Sequence, residues 1–222
     1  MRVRQFCLPI LAIPLLGSAT LGAPQVRANT ANLTLKKPDE NGIWTEKGTV
    51  VLTQRLLTEG GKSVDIRIDM GEISTRQQSI YDMTGAPIRR YTQTFIAERL
   101  KVTKIVTFGK TGAQVVTDRE GTRSTEAVPF LKNIPTKNAS EFWFLRGSPK
   151  PGQTVQWQNL NDANEFVTLK ATYKGKVPLP NKNVYAELVV TEYPDRKVET
   201  FMDQAGNLLL LRDSSGKQME RR

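Results

Sequence analysis

Val64-Asp65-Ile66-Arg67-Ile68-Asp69-Met70 alternates apolar and charged residues without a break. Successive side chains of an extended chain point to opposite faces, so this pattern buries one row and wets the other. It predicts a strand of an antiparallel sheet with one solvated face. The alternation recurs where Val167, Leu169, Ala171 and Tyr173 interleave with Thr168, Lys170 and Thr172. It recurs again where Val184, Ala186, Leu188 and Val190 oppose Tyr185, Glu187 and Thr191. Further β-prone stretches lie at 48–57, 72–81, 87–96, 98–108, 112–118, 152–160, 197–202 and 207–212. Roughly ten to twelve strands at this regular spacing predict a mainly β protein, a curved antiparallel sheet or half-barrel.

The connections repeat one unit. Asp82-Met83-Thr84-Gly85, Asp118-Arg119-Glu120-Gly121, Asp203-Gln204-Ala205-Gly206 and Asp213-Ser214-Ser215-Gly216 all read Asp-x-x-Gly. Asp at the first position bonds nearby backbone, and Gly at the fourth accepts the positive φ that closes a bulged hairpin. A calcium loop needs several oxygen ligands within one short segment, and this unit supplies one carboxylate. The repeat is therefore turn chemistry.

One segment departs from the β pattern. Asn138-Ala139-Ser140-Glu141 pairs a cap-forming Asn with a Glu three residues on, and Phe142-Trp143-Phe144-Leu145 leads to Arg146 and Gly147. Cap, early acid, late base and terminal Gly together predict one short helix over about 138–146. Its apolar residues follow one another directly, so it is expected to be buried against the sheet.

At the start, Arg2 and Arg4 precede the apolar run Phe6 to Leu16, and Val26-Arg27-Ala28 offers small residues before a cleavage point. This layout predicts a secretory signal peptide over 1–28 and a mature start at Asn29. The run falls short of the twenty or so residues that a membrane-spanning helix needs. Residues 29–47, with Lys36-Lys37-Pro38-Asp39-Glu40-Asn41-Gly42, read as a flexible leader into a single β domain over 48–222. The expected location is the periplasm or the medium.

The formal charge is +10, and loss of 1–28 removes Arg2, Arg4 and Arg27 with no acids, leaving 10 − 3 = +7. A basic surface is attracted to anionic ones, so an anionic membrane surface is an expected partner. Nucleic acid is not, because no nucleic-acid motif is present.

The chain holds no histidine, and its one cysteine, Cys7, lies in the predicted signal peptide. That excludes histidine general-base chemistry and the common Cys/His zinc sites. No G-x-S-x-G elbow and no phosphate-cradling glycine loop occur. Glu141, Asp162 and Glu165 near Trp143, Trp157 and Phe166 are the best acidic cluster, and capping and turn roles account for them. No catalytic residue, metal or cofactor is expected.

The aromatics crowd between 142 and 173, and a sheet of this strand number encloses a core or one small ligand. Phe142, Trp143, Trp157, Tyr173 and Leu188 are the candidate ligand-binding residues, lining one apolar space between the predicted helix and the Val184/Ala186/Leu188/Val190 face.

Three stretches also carry a resemblance: Ser140-Glu141-Phe142-Trp143-Phe144-Leu145, Pro151-Gly152-Gln153-Thr154, and Phe201-Met202-Asp203-Gln204-Ala205-Gly206-Asn207-Leu208-Leu209. Together they resemble an uncharacterised bacterial periplasmic domain family over residues 48–221, many of whose members carry Trp where this chain has Phe201. The family's architecture is similar to the half-barrel of the periplasmic lipoprotein carriers. The resemblance implies a concave, lipid-holding face and brings no functional residues with it. The expected function is an exported binding or carrier module for an acyl chain or lipoprotein tail. The alternative is a structural or protein-interaction component of the cell envelope without a ligand cavity.

Overall fold

The computed structural model describes residues 28–221 except 42, 140–143, 145, 146, 181 and 215. Among the described residues fourteen strands form one antiparallel sheet. The first eight are β1 (Ala28–Pro38), β2 (Trp44–Leu56), β3 (Lys62–Met70), β4 (Ile73–Tyr81), β5 (Pro87–Ile96), β6 (Arg99–Phe108), β7 (Gly112–Arg119) and β8 (Thr122–Pro129). The rest are β9 (Thr154–Leu160), β10 (Phe166–Pro178), β11 (Tyr185–Glu192), β12 (Lys197–Met202), β13 (Leu208–Asp213) and β14 (Gln218–Arg221). Each pairs with its chain neighbour except β8 with β9, and β1 pairs with β14. The sheet is thus a meander joined through its two terminal strands, with β8 and β9 left as edges.

The expected leader is wrong in this respect: residues 28–38 form β1, at the centre of the sheet. Ala31, Leu33 and Leu35 are buried, with Leu33 1% exposed, while Asn32, Thr34 and Lys36 take the other face. The period of two was present, but the basic and turn-forming run from Lys36 to Gly42 obscured it. Residues 39–41 and 43 belong only to the hairpin that leads into β2.

Of the expected helix, residues 140–143, 145 and 146 lie outside the described set. Phe144 is helical and buried. Asn138 has φ 58, a left-handed backbone and not the extended one of an N-cap. Its N–H and that of Ala139 bond the carbonyls of Thr84 and Gly85, tying this segment to the β4–β5 turn.

Following the register from strand to strand shows which rows face inward. The inner row runs through Leu33 and Leu35 of β1, Val50 and Leu52 of β2, and Val64 of β3. On the other side it runs through Met202, Val189, Ala171, Leu169 and Trp157 of β12 to β9. These residues form the principal core. Continued the other way, the inner row reaches Val106 of β6, Ala113 and Val115 of β7 and Val128 of β8. Those four pack on Leu160 and Phe166, which lie on the outer face of β9 and β10. One end of the sheet is therefore laid over the back of the other. The sheet is curved and unclosed, a spiral of one turn and an overlap.

Side chains close the seam in place of a strand ladder. The Arg90 guanidinium donates to the Leu160 carbonyl at 3.0 Å and to Asn159 Oδ1 at 2.8 Å. Gln158, 2% exposed, accepts from the Leu131 N–H at 2.8 Å and donates to the Ile134 carbonyl at 2.7 Å. The Gln158 N–H bonds the Pro135 carbonyl, so segment 131–135 covers the free edge of β9. A sheet edge buried this way offers no template for another chain.

Candidate functional site

Antiparallel order places the connections β2–β3, β4–β5, β8–β9 and β12–β13 at one end of the spiral. There the packed interior stops and a cleft of about 730 Å³ remains. Its walls are the last inner-row residues of several strands: Gln54 and Leu56 of β2, Lys62 of β3, Tyr173 of β10 and Glu187 of β11. Ser148 and Pro149 cover one side, and the β12–β13 turn with Asp203 and Gly206 forms another. A second cleft of about 550 Å³ adjoins it at Pro149, between Met83, Phe144 and Val155.

The wall is amphipathic. Lys62 is 4% exposed, level with Tyr81 in the next strand, so a lysine stem lies along the inner face. A register shift between Tyr173 and Gly175 lets the Tyr173 ring lean toward Glu187, and its hydroxyl donates a hydrogen bond to Glu187 Oε2. That bond and the carboxylate's charge push the Tyr173 phenol up to about 12. At neutral pH the Tyr173 phenol is therefore a neutral hydrogen-bond donor to Glu187. Among the described residues no group of three or more acidic, His or Cys side chains is placed to hold a metal.

The expected ligand residues do not share one space. Phe142 and Trp143 lie outside the described residues. Trp157 is 1% exposed in the middle of the packed core, against Leu169 and its neighbours. Tyr173 does line the cleft. Leu188 is on the opposite face of the sheet, packed with Leu179, Ala186, Phe201 and Leu210. The apolar row Ala186/Leu188 was expected to face inward, but the inner row of β11 is Glu187, Val189 and Thr191. Both faces of this strand are covered, the outer one by Leu179 after β10, so polarity alone mis-assigned them. Lys62, Gln54 and Glu187 were missed because a charged or amide side chain on the inner row has the signature of a wet face.

No protein-family model matches the chain, and no curated protein matches it. Among solved structures it is similar to the crystal structure of a beta-barrel-like protein of domain of unknown function DUF1849 from Brucella abortus. The identity is 16%, the TM-score 0.58, and the match covers 89% of this chain and 96% of that one. The chain has a β-barrel-like fold. At that identity the likeness speaks to the fold and not to activity.

Proposed function

We propose that this chain is an exported binding module of the bacterial cell envelope, holding an amphipathic, lipid-like ligand at the mouth of the spiral. The observation that carries the reading is the cleft left where the core ends. Its volume of about 730 Å³ falls within the range of roughly 300–1,000 Å³ usual for small-molecule sites. Leu56, Pro149 and the Tyr173 ring supply apolar wall, while Lys62, Gln54 and Glu187 supply polar anchors. Such a mixed wall suits a molecule with a polar head and a short buried stretch of chain. Export is supported by the basic start, apolar run and Val26-Arg27-Ala28 of the first residues, and the analogy to the lipoprotein carriers points the same way.

The centre of the spiral argues against a tail threaded right through. Trp157, Leu169, Val189 and Met202 are at most 2% exposed and fill it. The ligand is therefore seated at the mouth. The same packing favours the second reading, an envelope interaction protein with no ligand at all.

Native mass spectrometry of protein purified from its own periplasm, with organic extraction and displacement of a fluorescent fatty acid, separates the two. Wild type is expected to take up about one amphiphile, because the two clefts of ligand size adjoin at Pro149 and form one mouth. Leu56→Asp is expected to lower that uptake with a cooperative melt retained, and Leu188→Gln, on the outer face, to leave it unchanged. An empty wild-type protein that binds no probe ends the ligand reading and leaves the interaction protein.

A further inference from the structure

The charge of this molecule is sorted between the two ends of the spiral. The connections remote from the cleft carry eight acids, Asp39, Glu40, Glu72, Glu98, Glu120, Asp162, Glu165 and Asp195, against Arg196 and Lys217, a net of 2 − 8 = −6, with Glu120 paired to Lys101 and Asp195 to Arg196. The connections at the cleft end carry Lys110, Lys132, Lys137 and Lys150, and the neighbouring strand ends add Arg89, Lys174 and Lys176. All seven are exposed. Among the described residues of the cleft-end connections the acids are Glu59, Asp82 and Asp203. The last two are engaged in their own turns, accepting backbone N–H groups of Thr84, Ala86 and Asn207. Lys182 is also in this set of connections, but it reaches back to Glu220 on the outer wall.

Exposed apolar side chains stand at the same end. Met83, at the tip of the β4–β5 hairpin, is 70% exposed, and Leu57, at the tip of the β2–β3 hairpin, is 37% exposed. The two tips are adjacent: a methyl group placed on Gly60 would come within 3.5 Å of Met83 Cβ. The far end exposes Met70, Ile73, Ile96 and Leu100 as well, so exposure by itself does not choose between the ends. Charge does. An anionic surface attracts the lysine-bearing end and repels the acidic one.

We infer that the cleft end of the spiral docks on an anionic phospholipid surface, with Leu57 and Met83 entering the headgroup layer and the ring of exposed lysines resting on it. Basic side chains with apolar ones between them are the composition of an interfacial membrane contact. The orientation turns the mouth of the cleft toward the bilayer, so an amphiphile passes between membrane and protein without crossing water. The inference extends the proposed ligand module, but its test reads vesicle binding and not ligand uptake, so either can fail alone.

Flotation of the mature chain with vesicles of equal parts phosphatidylglycerol and phosphatidylcholine, against phosphatidylcholine alone, decides it. Binding is expected on the mixed vesicles only. It is expected to weaken when salt rises from about 0.1 M to about 1 M, as the Debye length shrinks from about 10 Å to about 3 Å. Each cation near the surface contributes roughly fivefold in affinity, so Lys110→Glu/Lys150→Glu/Lys174→Glu should weaken binding by about a hundredfold or more. Leu57→Glu/Met83→Glu is expected to weaken it too, while Ile73→Glu/Ile96→Glu at the acidic end leaves it unchanged. All three variants alter exposed positions, and a thermal melt confirms that each stays folded. Equal binding to neutral vesicles, no binding at low salt, or loss of binding only in the acidic-end variant overturns the inference. So does retention by a protein partner of this end in the absence of lipid, with no vesicle binding.

Discussion

The Tyr173 hydroxyl donates to Glu187 across two neighbouring strands, diagonally over a register shift, on the wall of the cleft. The bond holds the phenolic proton, and the Tyr173 pKa rises from 10.0 to about 12. The folded protein therefore keeps this proton where the unfolded chain gives it up. Stability from the pair is full below pH 10 and declines as the pH rises from there through about 12. Ultraviolet titration, with Tyr173→Phe marking this phenol's share of the signal, should show it ionising at lower pH in Glu187→Gln than in wild type, since a neutral amide removes the carboxylate's charge. The same titration curve in wild type and Glu187→Gln would remove the pair.

Glu220 gives the opposite sign. The Lys36 ammonium donates to it at 3.0 Å and Lys182 stands at 3.1 Å, and these two cations hold its carboxyl below the ordinary value of 4.5 despite partial burial. The unfolded chain binds this proton first, so the stabilisation is present above pH 4.5 and is lost as the pH falls through the lower folded value. Urea midpoints measured from neutral pH down to about pH 3 should therefore fall less steeply in Glu220→Gln than in wild type, because proton uptake at this site is gone. Parallel acid limbs in the two proteins would show that the pair contributes nothing.

Gly206 has φ 80 and closes the β12–β13 turn, where its N–H bonds the Asp203 carbonyl at 2.9 Å and Asp203 Oδ1 accepts the Asn207 N–H at 2.8 Å. No atom lies within 4 Å of a side chain placed there, so Gly206→Val tests backbone conformation alone. It should cost about 1–2 kcal/mol, read as a lower urea midpoint at unchanged slope. Gly152, in a Pro-flanked loop without the Asp-x-x-Gly frame, also has φ 86, so the same substitution there should cost a similar amount. An unaltered midpoint in Gly206→Val would remove the turn assignment.

Much of the sheet was legible because its signals are local. The alternation from Val64 to Met70 and the Asp-x-x-Gly turns each depend on a few adjacent residues, and both appear where they were read. β1 was hidden because a short inner row, Ala31, Leu33 and Leu35, runs straight into a basic and turn-forming stretch. The overlap was not legible at all. Leu160 and Phe166 read as ordinary strand residues, and only the curvature of the whole sheet brings Val106 and Val115 onto them. The cleft was half legible for a related reason. Tyr173 stood out as an aromatic on an apolar row, whereas Lys62 and Glu187 are charged residues on inner rows, which alternation assigns to solvent.

The seam offers the sharpest test of the spiral. Arg90 projects from the inner row of β5 and makes two hydrogen bonds to the end of β9, one to the Leu160 carbonyl and one to Asn159. Lys104 of β6 donates to the Asp162 carbonyl at 3.2 Å beside them, and its burial there lowers its pKa. Arg90→Met keeps the apolar stem and removes both donors, leaving the Leu160 carbonyl without its charged partner. A hydrogen bond to a charged group contributes about 1.5–3 kcal/mol, so a loss of that order is expected in the global melt. The location of the loss is the stronger prediction. Hydrogen exchange should quicken in β6 to β8 and in β9, which meet only through the overlap, while β1 to β3 and β11 to β13 keep their protection. Gln158→Leu, which strips the bonds to Leu131 and Ile134 from the same edge, should give the same pattern. Exchange that quickens evenly over all fourteen strands in both variants would mean that the overlap is no separable unit and that the sheet opens as one.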